Sequence, residues 1–173
     1  MSSIPYDLNR IKAFIFDVDG VLSRNVIAMN ESGEPLRTIN IKDGYALHLA
    51  VKKGYTVAII TGADTEAVKL RFERLGVQHI YLKSALKMVD YEDFIKKTGF
   101  KAEEIVYVGD DIPDYRVMQQ VGLPIAPADA APEIKAIAKY ISPINGGEGV
   151  GREIIEQVMK LQETWMSDDS FGW

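Results

Sequence analysis

The chain has 173 residues, a formal net charge of −5 and no cysteine. This length predicts one domain with a proper hydrophobic core, and the lack of cysteine excludes disulfides, thiolate metal sites and thiol nucleophiles. The acidic balance argues against nucleic acid as a partner, although local Lys and Arg residues can still hold an anionic substrate. No apolar run is long enough to span a bilayer, and residues 1–10 lack the apolar core of a signal peptide, so we expect a cytoplasmic protein.

Short apolar runs alternate with helical patterns along the chain. In chain order, the predicted elements are a strand at 13–16, a β-hairpin at about 26–41, a helix at 43–53, a strand at 55–60, a helix at 65–75, a strand at 77–81, a helix at 84–98, a strand at 104–108, a helix at about 113–121, a strand at 123–126, a helix at 132–138, a strand at 140–141 and a helix at 150–162. This alternation indicates a Rossmann-like, doubly wound α/β fold, with a mainly parallel sheet and helices on both faces. We expect a single domain over residues 1–173.

The first strand ends at two aspartates. Ala13–Phe16 is followed by the sequence Asp-Val-Asp-Gly, which contains Asp17 and Asp19, and open α/β sheets place ligands at the C-terminal ends of their strands. Two such carboxylates repel each other unless a cation or a shared proton relieves them, and Mg²⁺ prefers hard oxygen ligands. The pair therefore predicts a nucleophile, Asp17, beside a proton donor, Asp19, at a metal-assisted phosphoryl site. A strand end followed by an ordinary turn is the plainer alternative.

Further polar groups follow later strands or begin a helix. Thr61 follows the strand at 55–60, Asp110 follows the strand at 104–108, and Lys87 lies near the start of a helical pattern. In a parallel sheet these groups converge on one edge. A Thr61 hydroxyl can donate to a phosphate oxygen, a Lys87 ammonium can neutralise phosphate charge, and Asp110 can complete a metal shell. Each alone could be a strand-end Thr, a solvated Lys or a helix N-cap, but the ordered set favours phosphoryl chemistry.

The ordered set resembles the four motifs of the haloacid dehalogenase-like phosphatases. The matching residues are Asp17 to Val21, Thr61-Gly62, Lys87, and Gly109-Asp110-Asp111 with Asp114. The resemblance extends over about residues 11–153 and is sharpest to a small branch without a cap domain. The features shared with that branch are Asn40 to Gly44, Arg71, and Gly146 to Gly149 followed by Arg152 and Glu153.

The resemblance implies a Mg²⁺-dependent phosphomonoester hydrolase that works through an aspartyl phosphate. The implied roles are catalysis by Asp17, Asp19, Thr61 and Lys87, metal binding by the Asp17 carboxylate, the Asp19 backbone carbonyl and Asp110, and outer support of the metal by Asp111 and Asp114. The implied substrate is 3-deoxy-D-manno-octulosonate 8-phosphate, in lipopolysaccharide biosynthesis. A related 2-keto-3-deoxy-nononate 9-phosphate and a non-catalytic regulatory domain are alternatives. A phosphate-accepting receiver domain is another, although it is not expected to carry Asp19.

The same resemblance implies where the sugar acid binds. The implied substrate-binding residues are Asn40, Lys42, Asp43, Gly44, Gly62 and Arg71, with Arg74 close to Arg71 on the same helix. Arginine suits a substrate carboxylate because its planar fork pairs with both oxygens. A surface pair of Arg71 with Glu66 or Glu73 is the alternative, and the 40–44 loop could be only a turn with a helix cap. Octulosonate enzymes often carry Arg, and nononate enzymes Glu, where this chain has Ala63, so the sequence leaves the exact sugar acid open.

Only the hairpin at 26–41 could cover the site, because the gap between the first two motifs is too short for a cap domain. A lone hairpin is marginally stable and has edges that invite pairing. In the resembling family this hairpin contributes to a tetramer whose neighbouring subunits help to close the site, which implies a homotetramer here. A hairpin packed on its own domain in a monomer is the alternative. The tail at about 163–173 could dock on a neighbour or fray.

Overall fold

The computed structural model describes residues 2–173, apart from the side chain of Asp169. One parallel sheet contains the strands β1 (Ala13–Phe16), β2 (Thr56–Ile60), β3 (His79–Tyr81), β4 (Ile105–Val108), β5 (Leu123–Ala126) and β6 (Tyr140–Ile141). Their order across the sheet is β3-β2-β1-β4-β5-β6. The strand order therefore reverses between β1 and β4, which is where doubly wound sheets bind ligands. The predicted fold class is confirmed.

Helices cover both faces of this sheet. They are α1 (Ile41–Lys52), α2 (Glu66–Glu73), α3 (Lys87–Thr98), α4 (Tyr115–Met118), α5 (Pro132–Ile137) and α6 (Val150–Leu161). Phe14 and Phe16 of β1 pack with α1, α2 and α6 on one face. Ala13 and Ile15 pack with α3, α4 and α5 on the other, because successive strand side chains point to opposite faces. Among the described helices, none is both long enough and apolar enough to cross a bilayer.

The segment before α1 differs from the predicted hairpin. Residues 26–40, called the flap below, turn at Gly33, where the Asn30 side chain accepts hydrogen bonds from two backbone N–H groups. Among the described residues the predicted hairpin is reduced to one antiparallel bridge between Met29 and Pro35, with backbone hydrogen bonds from Leu36 N–H to the Ala28 carbonyl at 2.8 Å and from Asn30 N–H to the Glu34 carbonyl at 2.9 Å. No neighbouring strand of the sheet satisfies the other backbone groups of this segment, so an extended pair gains little there. Ile41 begins α1 instead of ending a strand.

Asn40 explains why the helix begins at that point. Its side-chain oxygen accepts hydrogen bonds from the backbone N–H groups of Lys42 and Asp43, at 2.9 and 3.1 Å. This is a helix N-cap, which is worth about 1 kcal/mol. The cap fixes the position at which the flap ends and α1 begins.

The C-terminal tail packs on its own chain. Trp165 is buried and meets the Tyr45 ring edge to face, and the Arg152 guanidinium lies over the Trp165 ring at 4.4 Å. Trp173 contacts the rings of Tyr45 and His48 on α1. In this single chain the aromatic residues of the tail thus extend the packing of α1 against α6.

Candidate active site

Three carboxylates meet at the point where the strand order reverses. Asp17 follows β1, Asp110 follows β4, and Asp114 ends a short 3-10 helix at Ile112–Asp114. One oxygen atom of each lies within 4.8 Å of the other two. Phe16 pairs with Val108 across the two strands, so Asp17 and Asp110 emerge at nearly the same level. Carboxylate oxygens at this spacing suit a divalent cation.

Lys87 enters this group from the first turn of α3. Its Nζ atom lies 2.7 Å from Oδ2 of Asp17 and 2.6 Å from Oδ1 of Asp114, and its side chain is only 4% exposed. Burial by itself would lower the Lys87 pKa, but the charges of both aspartates and the hydrogen bonds to them raise it. A buried ammonium held in this way keeps its charge and points it at the place where Asp17 meets a ligand.

Asp114 organises the cluster through hydrogen bonds on both of its oxygens. Oδ1 accepts from Lys87 and, at 2.6 Å, from the hydroxyl of Tyr107. Oδ2 accepts from the backbone N–H of Asp110 at 3.0 Å. The side chain is buried, and its oxygens are thus occupied by protein donors. This placement suits a residue that orients Lys87 and the Asp110 backbone.

Tyr107 is a site residue that the sequence interpretation missed. It lies on β4, is fully buried, and donates a hydrogen bond from its hydroxyl to Asp114. Burial and the nearby charge of Asp114 raise its pKa well above the ordinary range, so it remains a donor. The available signal was a tyrosine within an otherwise aliphatic buried strand, because a buried tyrosine hydroxyl usually needs a hydrogen-bond partner.

The carboxylates of this cluster are difficult to ionise together. Burial and the charge of Asp114 raise the pKa of Asp17 to about 6, in spite of Lys87. Burial and the charges of Asp17 and Asp114 raise the pKa of Asp110 to about 8. A bound cation reverses this by favouring the ionised forms. The site therefore has the electrostatics of a cation-binding centre.

Thr61, Gly62 and Asp111 surround the cluster in different ways. The Thr61 hydroxyl is buried at the end of β2 and accepts from the backbone N–H of Ala63 at 3.2 Å, so its own proton is free to reach a ligand. Gly62 is exposed beside it. Asp111 is also exposed, and its carboxylate caps the following 3-10 helix through the N–H of Ile112 at 2.8 Å. Any role of Asp111 in supporting a metal stays a prediction.

Asp19 has a partner that the sequence interpretation did not foresee. Its Oδ1 atom accepts from Nε of Arg37 at 2.8 Å, and its Oδ2 atom accepts from Nη2 of Arg37 at 2.9 Å. Arg37 belongs to the flap, and its side chain is 13% exposed. The flap is thus fastened to the loop after β1 by a bidentate ion pair. The only sequence signal was a lone arginine among apolar residues of the predicted hairpin.

A cavity of about 330 Å³ lies between the flap, α1 and α2. It borders Val18, which directly follows Asp17, and Arg37, which is hydrogen-bonded to Asp19, whereas the cluster residues themselves are not in its lining. The predicted substrate-binding residues in its lining are Asn40, Asp43, Gly44 and Arg71. Lys42 lies outside it, in a groove along α6. Arg74 is exposed at the end of α2 and is also outside the cavity lining.

Arg71 is half-buried in this cavity. Within the described residues its guanidinium makes no hydrogen bond or ion pair, and Glu73 is instead paired with Lys69 at 3.8 Å. Gly44 leaves the room that the guanidinium occupies, because a Cβ atom there would lie less than 3.0 Å from Nη2 of Arg71. An unpaired, half-buried guanidinium in a cavity is suited to an anionic ligand. The alternative of a surface pair with Glu66 or Glu73 does not occur in this structure.

Asp43 has a structural contact as well as a place in the cavity. Its Oδ1 atom accepts from the backbone N–H of Arg152 in the first turn of α6, at 2.6 Å. Its Oδ2 atom is buried and has no partner among the described residues. Burial raises the pKa of this carboxyl to about 6, and the contacts with Arg152 offset only part of the increase.

Comparisons with known proteins identify the family of the chain. A family model described as haloacid dehalogenase-like hydrolase matches residues 74–154, which include Lys87, Asp110 and Asp114. The 3-deoxy-D-manno-octulosonate 8-phosphate phosphatase of Escherichia coli strain K12 is 40% identical over 152 residues, or 88% of this chain and 81% of that protein.

Two crystal structures share the fold closely. The 3-deoxy-D-manno-octulosonate 8-phosphate phosphatase of Yersinia pestis has a TM-score of 0.86 and 36% identity, covering 91% of this chain and 85% of its own. The enzyme of that name from Moraxella catarrhalis, in complex with magnesium ion, phosphate ion and KDO, has a TM-score of 0.85 and 32% identity, covering 90% of each chain. The chain therefore belongs to the haloacid dehalogenase-like hydrolases, in the family of the 3-deoxy-D-manno-octulosonate 8-phosphate phosphatases.

Proposed function

We propose that this protein hydrolyses 3-deoxy-D-manno-octulosonate 8-phosphate, with Mg²⁺ as its cofactor, in lipopolysaccharide biosynthesis. The observation that carries the proposal is the joint placement of a carboxylate–lysine cluster and a cavity with an unpaired arginine. The first suits a phosphate ester, and the second suits a carboxylate on the same substrate. The family to which the chain belongs supports both a phosphate ester and a carboxylate on the substrate. A cytoplasmic location stays a prediction.

Mg²⁺ fits the residues at the end of the sheet. The Asp17 and Asp110 carboxylates and the Asp19 backbone carbonyl would hold it, and all three are hard oxygen donors. Raised pKa values, as found for Asp17 and Asp110, are expected when the carboxylates of a cation site are close together and no cation is bound. When bound, Mg²⁺ neutralises negative charge on the transferring phosphoryl group.

The chain's own residues perform the bond changes. An oxygen of Asp17 attacks phosphorus, so a new bond joins Asp17 to phosphorus and the bond from phosphorus to the sugar oxygen breaks. Asp19 gives its proton to the departing sugar oxygen, then takes a proton from the water that hydrolyses the aspartyl phosphate. Lys87, 2.7 Å from Oδ2 of Asp17, balances the charge of the nucleophile and the phosphate. Thr61 donates to a phosphate oxygen.

The cavity beside the cluster accounts for the sugar-acid half of the substrate. Its volume of about 330 Å³ lies at the small end of the range for ligand sites. Arg71 provides a bidentate donor for a carboxylate. A simple phosphate ester has no group that uses this arginine. The nononate 9-phosphate would also present a carboxylate, so it stays the alternative substrate, and Ala63 does not discriminate between the two.

We also propose a homotetramer in which the flap contacts other copies of the chain. Large apolar side chains of the flap and the start of α1 are exposed, with Val26 at 84%, Ile39 at 61% and Ile41 at 70%. Large exposed apolar side chains concentrated in one short segment favour an association site there. Light scattering should give a tetramer, and deletion of residues 26–38 should reduce both assembly and activity on sugar acids. A fully active monomer would contradict this part of the proposal.

A substrate panel tests the main proposal. Purified protein with Mg²⁺ is given the octulosonate 8-phosphate, the nononate 9-phosphate and a sugar phosphate without a carboxylate, and inorganic phosphate release is followed. We expect the octulosonate ester to have the highest kcat/KM. Asp17→Asn is the control, because it keeps the size of the side chain but loses the nucleophile, and turnover should fall by several powers of ten. No turnover of any ester would favour the regulatory-domain alternative.

A further inference from the structure

Arg37 connects two parts of the molecule that the proposed reaction uses separately. Its guanidinium binds both carboxylate oxygens of Asp19, at 2.8 and 2.9 Å. The same residue also lines the cavity that contains Arg71. Arg37 is therefore the described side chain that contacts Asp19 from the sugar-acid cavity. Arg37 thus lies between the proposed proton donor, Asp19, and the proposed sugar-acid site.

The ion pair limits what Asp19 can do in the free protein. In the proposed reaction Asp19 must present an oxygen to the leaving group, yet both of its oxygens are hydrogen-bonded to one guanidinium. Such a fork-to-fork contact is among the stronger polar contacts in proteins. The Arg37 side chain is 13% exposed and the Asp19 side chain is 45% exposed, so the pair is half-buried and solvent screens it in part. The pair must open before Asp19 can reach a substrate.

A carboxylate in the cavity can open the pair at little cost. It offers Arg37 the same two acceptor oxygens that Asp19 offers now, so the guanidinium exchanges one carboxylate for another without losing hydrogen bonds. Arg71, on the same cavity, adds a second guanidinium for that anion. A ligand shifts such an equilibrium only by binding one state better than the other, and a carboxylate ligand meets this requirement.

We propose that Arg37 is a specificity-determining latch: it holds Asp19 in the free protein and transfers to the carboxylate of a bound sugar acid, which releases Asp19 for proton transfer. This inference rests on the proposed function. A phosphate ester without a carboxylate reaches the cluster but leaves the latch closed, and its leaving group departs slowly. Specificity then arises in kcat as well as in KM, as expected when binding of the correct substrate assembles the catalytic site.

Leaving-group kinetics test the latch in the Arg37→Gln variant. With an alkyl phosphate that lacks a carboxylate, we expect kcat to rise at least threefold, because Asp19 is no longer held. With an aryl phosphate such as 4-nitrophenyl phosphate, whose leaving group needs no proton, kcat/KM should stay within a factor of two, because kcat/KM covers formation of the aspartyl phosphate and excludes its later hydrolysis, in which Asp19 also acts. The preference for the sugar acid over the alkyl ester should fall at least tenfold. Arg24→Gln is the matched control, because Arg24 pairs with Glu148 at 3.6 Å and not with Asp19.

The opposite kinetic result would overturn the proposal. If Arg37→Gln lowers kcat for the alkyl ester while the aryl ester is unchanged, Arg37 holds Asp19 in its productive position and is no latch. Unchanged kinetics for all three esters would also overturn it. Arg37→Lys keeps the charge without the fork and should give an intermediate preference, which guards against a folding defect in the glutamine variant.

A binding cycle tests the latch without any turnover. The probe is free 3-deoxy-D-manno-octulosonate, which has the carboxylate but no phosphate, titrated by calorimetry. Because Asp19 competes with the probe for Arg37, Asp19→Asn should tighten binding at least fivefold when Arg37 is present and not when Arg37 is glutamine. An equal change in affinity in both backgrounds, with Arg37 present and with Arg37→Gln, would contradict the latch. A protein that shows this coupling but hydrolyses no sugar-acid phosphate would instead disprove the proposed function alone.

Discussion

Gly20 and Asp110 lie so close together that no side chain fits between them. A Cβ atom on Gly20 would stand less than 3.0 Å from all three carboxyl atoms of Asp110. Gly20 also has a φ of +80°, in the left-handed region that favours glycine. The glycine of the first motif thus allows the loop after β1 to approach the loop after β4, and this approach brings Asp17 and Asp110 together.

Gly20→Ala should abolish activity while the sheet remains folded. The added methyl group displaces the Asp110 carboxylate, so Mg²⁺ binding and turnover should both fall at least a hundredfold. Calorimetric Mg²⁺ titration and phosphate release measure the two effects. Gly54→Ala is the matched control, because Gly54 also has a positive φ, of +88°, but has open space around it. It should lose about 1 kcal/mol of stability and keep its activity.

Mg²⁺ affinity should fall as the pH is lowered from 8 to 6. In the metal-free protein the pKa is about 8 for Asp110 and about 6 for Asp17, and both must be ionised to bind the ion. Protonation of Asp110 therefore opposes binding below pH 8, by up to about tenfold per pH unit. Calorimetry in two buffers with different ionisation enthalpies counts the protons that Mg²⁺ displaces. An affinity that does not change over this range would contradict the coupling.

Arg71→Ala should weaken the binding of sugar-acid phosphates and leave the binding of other phosphate esters nearly unchanged. Loss of a charge-assisted hydrogen bond costs about 1.5–3 kcal/mol, or roughly a ten- to hundredfold rise in KM, whereas a sugar phosphate without a carboxylate should barely change. Arg71→Lys should recover part of the loss, since lysine lacks the bidentate fork. Arg116→Ala, on exposed surface of α4, is the control. Equal weakening of both substrates would mean that Arg71 supports the fold or the phosphate.

Asp43→Asn should stabilise the protein more at neutral pH than at acidic pH. The raised pKa means that the folded state holds a proton on Asp43 more readily than the unfolded state does. The wild type therefore loses this contribution as pH rises from about 4 through 6, and the shift from 3.8 to about 6 corresponds to up to about 3 kcal/mol. Asparagine keeps an oxygen for the Arg152 N–H and carries no charge.

Urea unfolding at pH 4.5 and 7.5 measures this effect. The stability of the variant minus that of the wild type should be larger at pH 7.5, and an equal difference at both values would contradict the assignment. The contributions of other titrating groups are common to the variant and the wild type, so they cancel in this difference. Asp7→Asn, at a side chain that is 57% exposed, is the control substitution at a surface carboxylate.

The sheet and the ends of its strands were predictable because each strand is a short apolar run that stops at a polar motif. The parallel register then places Asp17, Thr61 and Asp110 on one edge without further information. Helix starts were less predictable. The helix predicted at 84–98 begins at Lys87, and the one predicted at about 113–121 is a 3-10 turn followed by Tyr115–Met118. The Asp111 side chain caps the 3-10 turn that begins at Ile112, and the periodicity of apolar residues does not reveal such a cap.

The missed residues depend on contacts between distant parts of the chain. Arg37 meets Asp19 only because the flap folds back across the end of the sheet, and the sequence pattern predicted strands there. Tyr107 was interpreted as one more buried strand residue, although its hydroxyl lies at the cluster. Conversely, Lys42 and Arg74 were predicted to bind substrate from their positions along the chain, but in the single chain they lie outside the cavity lining. Sequence spacing gives the edge of the sheet and does not give these side-chain directions.

The adjacency of β1 and β4 has a consequence for the order of folding. The chain between Asp17 and Asp110 forms α1, β2, α2, β3 and α3, so the two aspartates are distant in sequence although their strands are neighbours in the sheet. Such a contact, distant in sequence, forms late and slowly. A chain still emerging from the ribosome with β4 unfinished has Asp17 but no cation site. The cation site therefore forms only when β1 and β4 pair, and its formation reports that the sheet has assembled as far as β4.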